Sequence, residues 1–428
     1  MRARRVATAI GCWLLGVASS TARCEDWPQF RGPRGDGQSS AAGVARTWSE
    51  SENVRWKTAI HGRGWSSPVV LGEQVWLTTA TEDGTHLFAL CVDRTSGKIL
   101  RDFTVFEVES PLEIHTLNSY ASPTPVIESG RVYVHFGSYG TAAIDTLTGE
   151  VLWTRRDLPC DHWRGPGSSP ILFERLLIAH FDGFDHQYVV ALDKATGKTV
   201  WKTDRSNDFG GTENGDFKKA YSTPLVITVG GREQLISPGS RAAFAYDPRT
   251  GKELWRVRFA NFSSTARPLY AHGLVYINTG FGKADLIAVR PDGSGDVTDT
   301  HVVWTAKRGI GSKPSAVLVD DLIYTVADNG GVATCLDTKT GATVWQERIE
   351  GTEHSASPIV VDGTIYFFSH DGAATLVRPG REFRVLGTNR LDDGCMASPA
   401  VAGRALFVRT RSHLYRIESP TTLPSAPR

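Results

Sequence analysis

Ser66-Ser67-Pro68-Val69-Val70 is the first of eight segments that repeat one phrase: a small or polar pair, then proline, then aliphatic residues. The others are Ala121-Ser122-Pro123, Ser168-Ser169-Pro170-Ile171-Leu172, Ser222-Thr223-Pro224-Leu225-Val226, Ala266-Arg267-Pro268-Leu269, Ser312-Lys313-Pro314, Ala356-Ser357-Pro358-Ile359-Val360 and Ala397-Ser398-Pro399-Ala400-Val401. Successive prolines lie 55, 47, 54, 44, 46, 44 and 41 residues apart. Repetition at that period means one supersecondary unit copied around a ring or along a stack.

Working outward from the proline, each unit reads as four strands. The aliphatic stretch is strand A, and a turn such as Glu128-Ser129-Gly130-Arg131 leads to a β-rich strand B, as in Val132-Tyr133-Val134 or Leu322-Ile323-Tyr324-Thr325. A Gly-rich hairpin precedes strand C, which ends in a recurrent turn: Asp93-Arg94-Thr95-Ser96-Gly97, Asp145-Thr146-Leu147-Thr148-Gly149, Asp193-Lys194-Ala195-Thr196-Gly197, Asp247-Pro248-Arg249-Thr250-Gly251 and Asp337-Thr338-Lys339-Thr340-Gly341. The aspartate can accept from backbone N–H groups ahead of it, and the glycine supplies a positive φ. Five copies of one carboxylate mark structure rather than catalysis. Strand D carries a tryptophan four residues past that glycine (Trp153, Trp201, Trp255, Trp345). Trp304 fills the role in the fifth repeat, whose turn is lengthened over residues 291–299.

Four antiparallel strands with tight hairpins and a fixed large aromatic describe a propeller blade. The eighth repeat has room for three strands only. Asn53-Val54-Arg55-Trp56-Lys57-Thr58, with Trp56 in the tryptophan slot, supplies the fourth from upstream. The expected fold is therefore all-β: an eight-bladed β-propeller of four-stranded antiparallel blades, closed by an N-terminal strand joining the last blade.

Composition bounds the function. The 428 residues carry 47 Lys+Arg against 46 Asp+Glu, with no basic runs, so no electrostatic footprint for nucleic acid exists. Arg2, Arg4 and Arg5, the apolar run from Val6 to Ala18 and Ser20-Thr21-Ala22 read as a signal peptide over residues 1–22. That run is short for a bilayer span, so we expect an exported chain of the periplasm or cell envelope, with no transmembrane segment once matured. Residues 23–52 form an N-terminal extension, 53–418 the propeller and 419–428 a Pro-rich tail. The cysteines show no metal-like spacing. Cys91 and Cys335 hold a position filled by alanine in other repeats, as buried filler. A disulfide joining Cys160 to Cys24 or Cys395 stays open.

The Asp-x-x-Thr-Gly-Lys turn with its following tryptophan resembles the repeat of pyrroloquinoline quinone (PQQ) propellers over residues 53–418. The resemblance implies one of two branches. Quinoprotein alcohol dehydrogenases are exported eight-bladed enzymes holding PQQ and calcium over the central channel, typically with a disulfide between adjacent cysteines. A PQQ-free branch includes the propeller lipoprotein of the outer-membrane β-barrel assembly machinery, which binds a partner protein and is similar in size. Asp26-Trp27-Pro28-Gln29-Phe30-Arg31-Gly32-Pro33 is also similar to the start of many exported PQQ-repeat proteins of unassigned activity. The repeated residues are structural, so function must lie elsewhere. The chain has no adjacent cysteines and is shorter than those dehydrogenases, and both departures count against catalysis.

The irregular D-to-A loops, residues 106–120, 155–167 and 203–221, together with the B-to-C hairpins, share one rim of the ring. We expect Trp65, His115, Asn118, Tyr120, His162, Trp163, Arg164, Tyr221, Lys313 and His354 to face a ligand there, with Glu353, Asp392 and Asp393 adding charge. Glu213, Asn214 and Asp216 could supply calcium oxygens, although acidic Gly-rich loops are more often solvated turns. His180-Phe181-Asp182-Gly183-Phe184-Asp185-His186 reads as a hairpin rather than a metal site. The reading is a binding or scaffolding module for an envelope protein or small ligand. Its alternative is a PQQ- and calcium-dependent dehydrogenase of an alcohol or sugar, and a third reading is a carbohydrate-binding surface protein.

Overall fold

Val69–Leu71, Gln74–Ala80, His86–Asp93 and Ile99–Glu107 pair in chain order into one antiparallel sheet, and seven further sheets repeat the arrangement. This computed structural model describes residues 25–205 and 214–420. The eight sheets are the blades of a β-propeller. Strand A is innermost, and Val69–Leu71 of blade 1 contacts Val126–Glu128 of blade 2 and Ala400–Ala402 of blade 8. Val54–Ala59 pairs antiparallel with His413–Ile417, running from Val54↔Ile417 to Ala59↔His413, and completes blade 8. An N-terminal strand thus completes the last blade and closes the ring, as the sequence predicts. Arg409 reinforces the joint, donating to Ser66 O at 3.0 Å, Ser66 Oγ at 2.7 Å and Thr78 O at 2.8 Å.

The strand-D tryptophans hold blade to blade. Four indole N–H groups donate to the residue after the turn aspartate of the next blade, Trp56 to Arg94 O, Trp153 to Lys194 O, Trp201 to Pro248 O and Trp304 to Thr338 O, at 2.9–3.1 Å, and Trp345 donates to Gly380 O at 3.0 Å. The rings lie on the turn glycines, where an added Cβ would stand 2.5–2.7 Å from indole atoms at Gly97, Gly197, Gly251 and Gly341. These glycines are required twice, for φ near +70° and for clearance. Blade 1 lacks the tryptophan, and Arg101 donates to Leu147 O in its place. Trp255 differs because the next blade's lengthened turn adds Gly295–Asp296 parallel to its strand; its indole turns to Gln234 Oε1 at 2.8 Å.

Across strand C, four of the tryptophans face a small residue: Trp153↔Ala143, Trp201↔Ala191, Trp255↔Ala245 and Trp345↔Cys335. That is why alanine and cysteine alternate there. Cys91, Cys160, Cys335 and Cys395 are buried and free, so Cys160 and Cys395 are not joined; Cys24 lies outside the described residues.

Two repeats need a corrected register. Strand A of blade 2 begins at Val126 after Pro125, and that of blade 6 at Val317 after Ala316. Pro123 and Pro314 therefore sit two residues early. The residue that recurs is the hydroxyl before the strand, because it makes the inter-blade bond described next.

Candidate functional site

Where the strand-A segments enter the ring, a hydroxyl from six of the eight blades bonds the neighbouring backbone. Ser67 N donates to Thr124 Oγ1, Thr124 N to Ser169 Oγ, Ser169 N to Thr223 Oγ1, Arg267 N to Ser315 Oγ, Ser315 N to Ser357 Oγ and Ser357 N to Ser398 Oγ, all at 2.9–3.2 Å. A backbone N–H buried at the axis must find an acceptor, and the small polar residue of the repeat supplies it. The result is a polar belt around the channel.

Arg267 breaks the belt for a reason. Residues 27–39 cross beneath it from one side of the ring to the other. Trp27 pairs with Val70 of blade 1, and Pro28 O accepts from Ile127 N of blade 2. Phe30 O then accepts from Arg267 of blade 5 at 2.6 Å, and Arg31 donates to Ala316 O and Pro358 O of blades 6 and 7. Gln38–Ser39 end as a parallel strand beside Ile359–Val361. A Cβ at Gly35 would overlap the Arg267 guanidinium, and one at Gly37 that of Arg31. Burial lowers both guanidinium pKa values, to about 9 for Arg267 and about 10 for Arg31, yet both stay charged at neutral pH. The segment read as a bare extension thus closes one end of the channel.

Above the belt lies a cavity of about 500 Å³ that opens on the loop face. Trp65, His115, Asn118, Arg164, Tyr221 and Lys313 line it, as do Asp216, Lys219, Phe281, Asp328 and Glu353. Trp65 donates its indole N–H to Leu117 O at 3.0 Å, and Asn118 Nδ2 donates to Arg164 O at 2.8 Å, joining two loops. Asp216 is held by Lys219 at 2.5 Å and by the Trp163 indole at 3.1 Å; burial raises its pKa, but these partners hold it below the usual carboxylate range.

Three expected ligand-facing residues are placed behind the wall. Tyr120 is buried over Gly84 with its hydroxyl donating to Leu112 O at 2.7 Å. His162 is buried, accepting at Nε2 from Ser138 N at 3.0 Å, and His354 is fully buried. Burial pushes both histidines down to about 4. Loop position alone did not reveal that these rings pack inward. Trp163 stands half-exposed beside the cavity, stacked on Phe184.

Of the calcium candidates, Glu213 lies outside the described residues. Asn214 caps the short turn Gly215–Phe217 through Asp216 N. In the hairpin over residues 180–186, His180 bonds Ser237 and Asp182 pairs with Arg205 at 2.9 Å, while Asp185 accepts from Asp161 N. Among the described residues no group of three or more His, Cys, Asp or Glu converges as a metal site. The cavity carboxylates are also engaged: Asp216 by Lys219, Asp328 by Ser312 and Lys313 N, and Glu353 by His370. A PQQ–calcium centre needs carboxylate oxygens turned to the metal and the quinone. The residues present do not fit it.

Sequence reasoning overlooked Phe30, Ser355, Phe281 and the belt hydroxyls, all of which except Ser315 line the cavity. The recurrent hydroxyl was the available signal for the belt.

A family model described as outer membrane protein assembly factor BamB matches residues 39–156 and 185–422. The BamB of Yersinia pestis is 22% identical over 200 residues, covering 44% of this chain and 48% of that protein. Subunit 1 of the methanol dehydrogenase of Methylobacterium organophilum is 30% identical over 159 residues, covering 31% and 22%. The match therefore spans about half the length of the BamB relative. Among solved structures, BamB from Moraxella catarrhalis aligns with TM-score 0.59 and 12% identity over 85% of this chain and 99% of that one. A europium-containing methanol dehydrogenase aligns with TM-score 0.66 and 12% identity over 91% and 90%. At such identity the structural likeness speaks for the fold alone.

Proposed function

This chain belongs to the family described as outer membrane protein assembly factor BamB, and from that premise we propose that it is a binding module of the cell envelope whose loop face docks a partner protein. One observation carries the reading. Most exposed large apolar residues lie on outer strands or their turns, namely Leu100, Leu147, Val151, Leu152, Val200, Val303, Val385 and Leu386. Among the described residues the other four, Leu112, Leu117, Trp163 and Phe281, lie in the loops around the cavity mouth. Exposed apolar groups rimmed by charge are what a protein interface uses as anchors. Lys218, Arg164 and Asp216 beside them can set the orientation of the partner. No helix among the described residues is long and apolar enough to cross a membrane, which suits a module working at the envelope surface.

The test is site-specific photo-crosslinking in the native cell. A photoreactive residue at Leu117, Trp163 or Phe281 should give one defined protein adduct, and the same probe at Val303 should give none. Equal yields from Val303, or no adduct from the rim, would remove the reading. The dehydrogenase alternative gains no support from the cavity chemistry.

A further inference from the structure

His370 is hydrogen-bonded at both ring nitrogens, to Glu353 Oε2 at 3.1 Å from Nδ1 and to Ser355 Oγ at 2.8 Å from Nε2. A carboxylate can only accept, so the ring proton sits on Nδ1. The neutral ring then accepts at Nε2, and the Ser355 hydroxyl donates. Among the described residues no other histidine hydrogen-bonds a hydroxyl with one nitrogen and a carboxylate with the other. Ser355 and Glu353 face the cavity, and His370 is buried behind them.

The placement differs from that of the other repeats. Ser355 stands two residues before the belt residue Ser357, a slot filled elsewhere by Trp65, Ser122, Gly167, Tyr221, Thr265, Lys313 and Met396; the Ser122 hydroxyl is engaged, donating to Asn118 Oδ1 at 2.6 Å. The Thr265 hydroxyl is spent on Ser263 O, whereas that of Ser355 meets an imidazole. The backbone N–H groups of Ser355 and Ala356 donate to no acceptor among the described residues. Lys313, on the adjoining wall, has no carboxylate within ion-pair range among them. Nucleophile, base, orienting acid and spare donors are the parts of a serine acyl-transfer site.

We propose that Ser355, His370 and Glu353 hydrolyse a small carboxylic ester admitted to the cavity. Ser355 Oγ bonds to the acyl carbon while its proton passes to His370 Nε2. The C–O bond to the alcohol breaks, and the alcohol leaves with that proton. Water then attacks the acyl-serine, giving a proton to His370; the acid departs, and Ser355 regains its hydrogen. Ser355–N–H, Ala356–N–H and Lys313 supply the charge for the acyl oxygen. Glu353 is a positioning residue that holds the tautomer. Burial and then Lys313 lower the His370 pKa, with Arg411 adding to the fall and Glu353 opposing it; His354 packs alongside and is neutral near pH 7. The ring is therefore free to accept a proton near neutrality.

The full chain would be treated with a fluorophosphonate probe and mapped by mass spectrometry, and p-nitrophenyl acetate turnover would be followed against pH. A single adduct on Ser355 is expected, absent in Ser355→Ala. His370→Asn should slow turnover at least about 100-fold. Glu353→Gln should move the acid limb of the pH profile further down, which a purely structural role would not do. Unfolding curves for each variant separate lost chemistry from lost fold. No adduct on Ser355 of the unmodified chain, or turnover that survives Ser355→Ala, overturns the proposal.

Discussion

Arg205 and Asp182 form an ion pair at 2.9 Å with both side chains fully buried beneath the loop face. Arg205 also donates to Ser237 O at 3.1 Å and Ser237 Oγ at 2.7 Å. Burial pushes the Asp182 carboxyl up to about 6 even against the pull of Arg205. Removing one partner of such a pair strands the other charge in a medium that cannot solvate it. Arg205→Ala should therefore cost about 3–5 kcal/mol in urea unfolding. Arg31 invites a similar test at the closed end of the channel. Its guanidinium donates to Ala316 O, Pro358 O and Asp36 O, and bonds to a charged donor contribute about 1.5–3 kcal/mol each before desolvation is subtracted. Arg31→Ala should lower stability by about 2–4 kcal/mol and make residues 27–39 sensitive to protease. Apart from Asp36, five residues from Arg31, none of these partners is near in sequence, so neither residue could be singled out from the chain alone.

Two kinds of turn within a blade both use glycine at positive φ, for different reasons. Gly130, between strands A and B, has nothing within 4 Å of where a Cβ would stand. Gly341, between strands C and D, lies under the Trp304 indole. Gly130→Ala should therefore cost only the left-handed backbone, about 1–2 kcal/mol. Gly341→Ala adds overpacking, for a total of about 2–4 kcal/mol. Equal losses in thermal or denaturant unfolding would show that the tryptophan contact is not what binds one blade to the next. The turn itself, its aspartate and its tryptophan were legible in the chain because they recur with local spacing. Their joint purpose was not, since Trp304 and Gly341 belong to different blades.

Across the whole ring, buried histidines set the response to acid. Burial lowers His135 to about 3 and His162 and His354 to about 4. Each is neutral in the fold and takes a proton more readily once unfolded, so the unfolded chain binds more protons below pH about 6.5. Their contribution is complete above that pH and is lost as pH falls toward about 4, at about 1.4 kcal/mol per pH unit for each. Denaturant unfolding followed by tryptophan fluorescence should give a steady fall between pH about 6.5 and about 4.5; a flat profile would contradict the burial of these rings. By itself the sequence determined the blade count, the four strands per blade and the closing strand, read over residues 53–58 and found at Val54–Ala59, because periodic patterning and turn chemistry are local and repeated eight times. It also pointed to the loop face, where Trp65, His115, Asn118, Arg164, Tyr221 and Lys313 do line one cavity. Only the tertiary structure decided that Tyr120, His162 and His354 turn inward, and that Phe30 and Arg31 close the channel. It alone brought His370 between Ser355 and Glu353. Those outcomes depend on how loops and blades pack across the ring axis, and no spacing along one chain encodes which side of a loop a ring will bury.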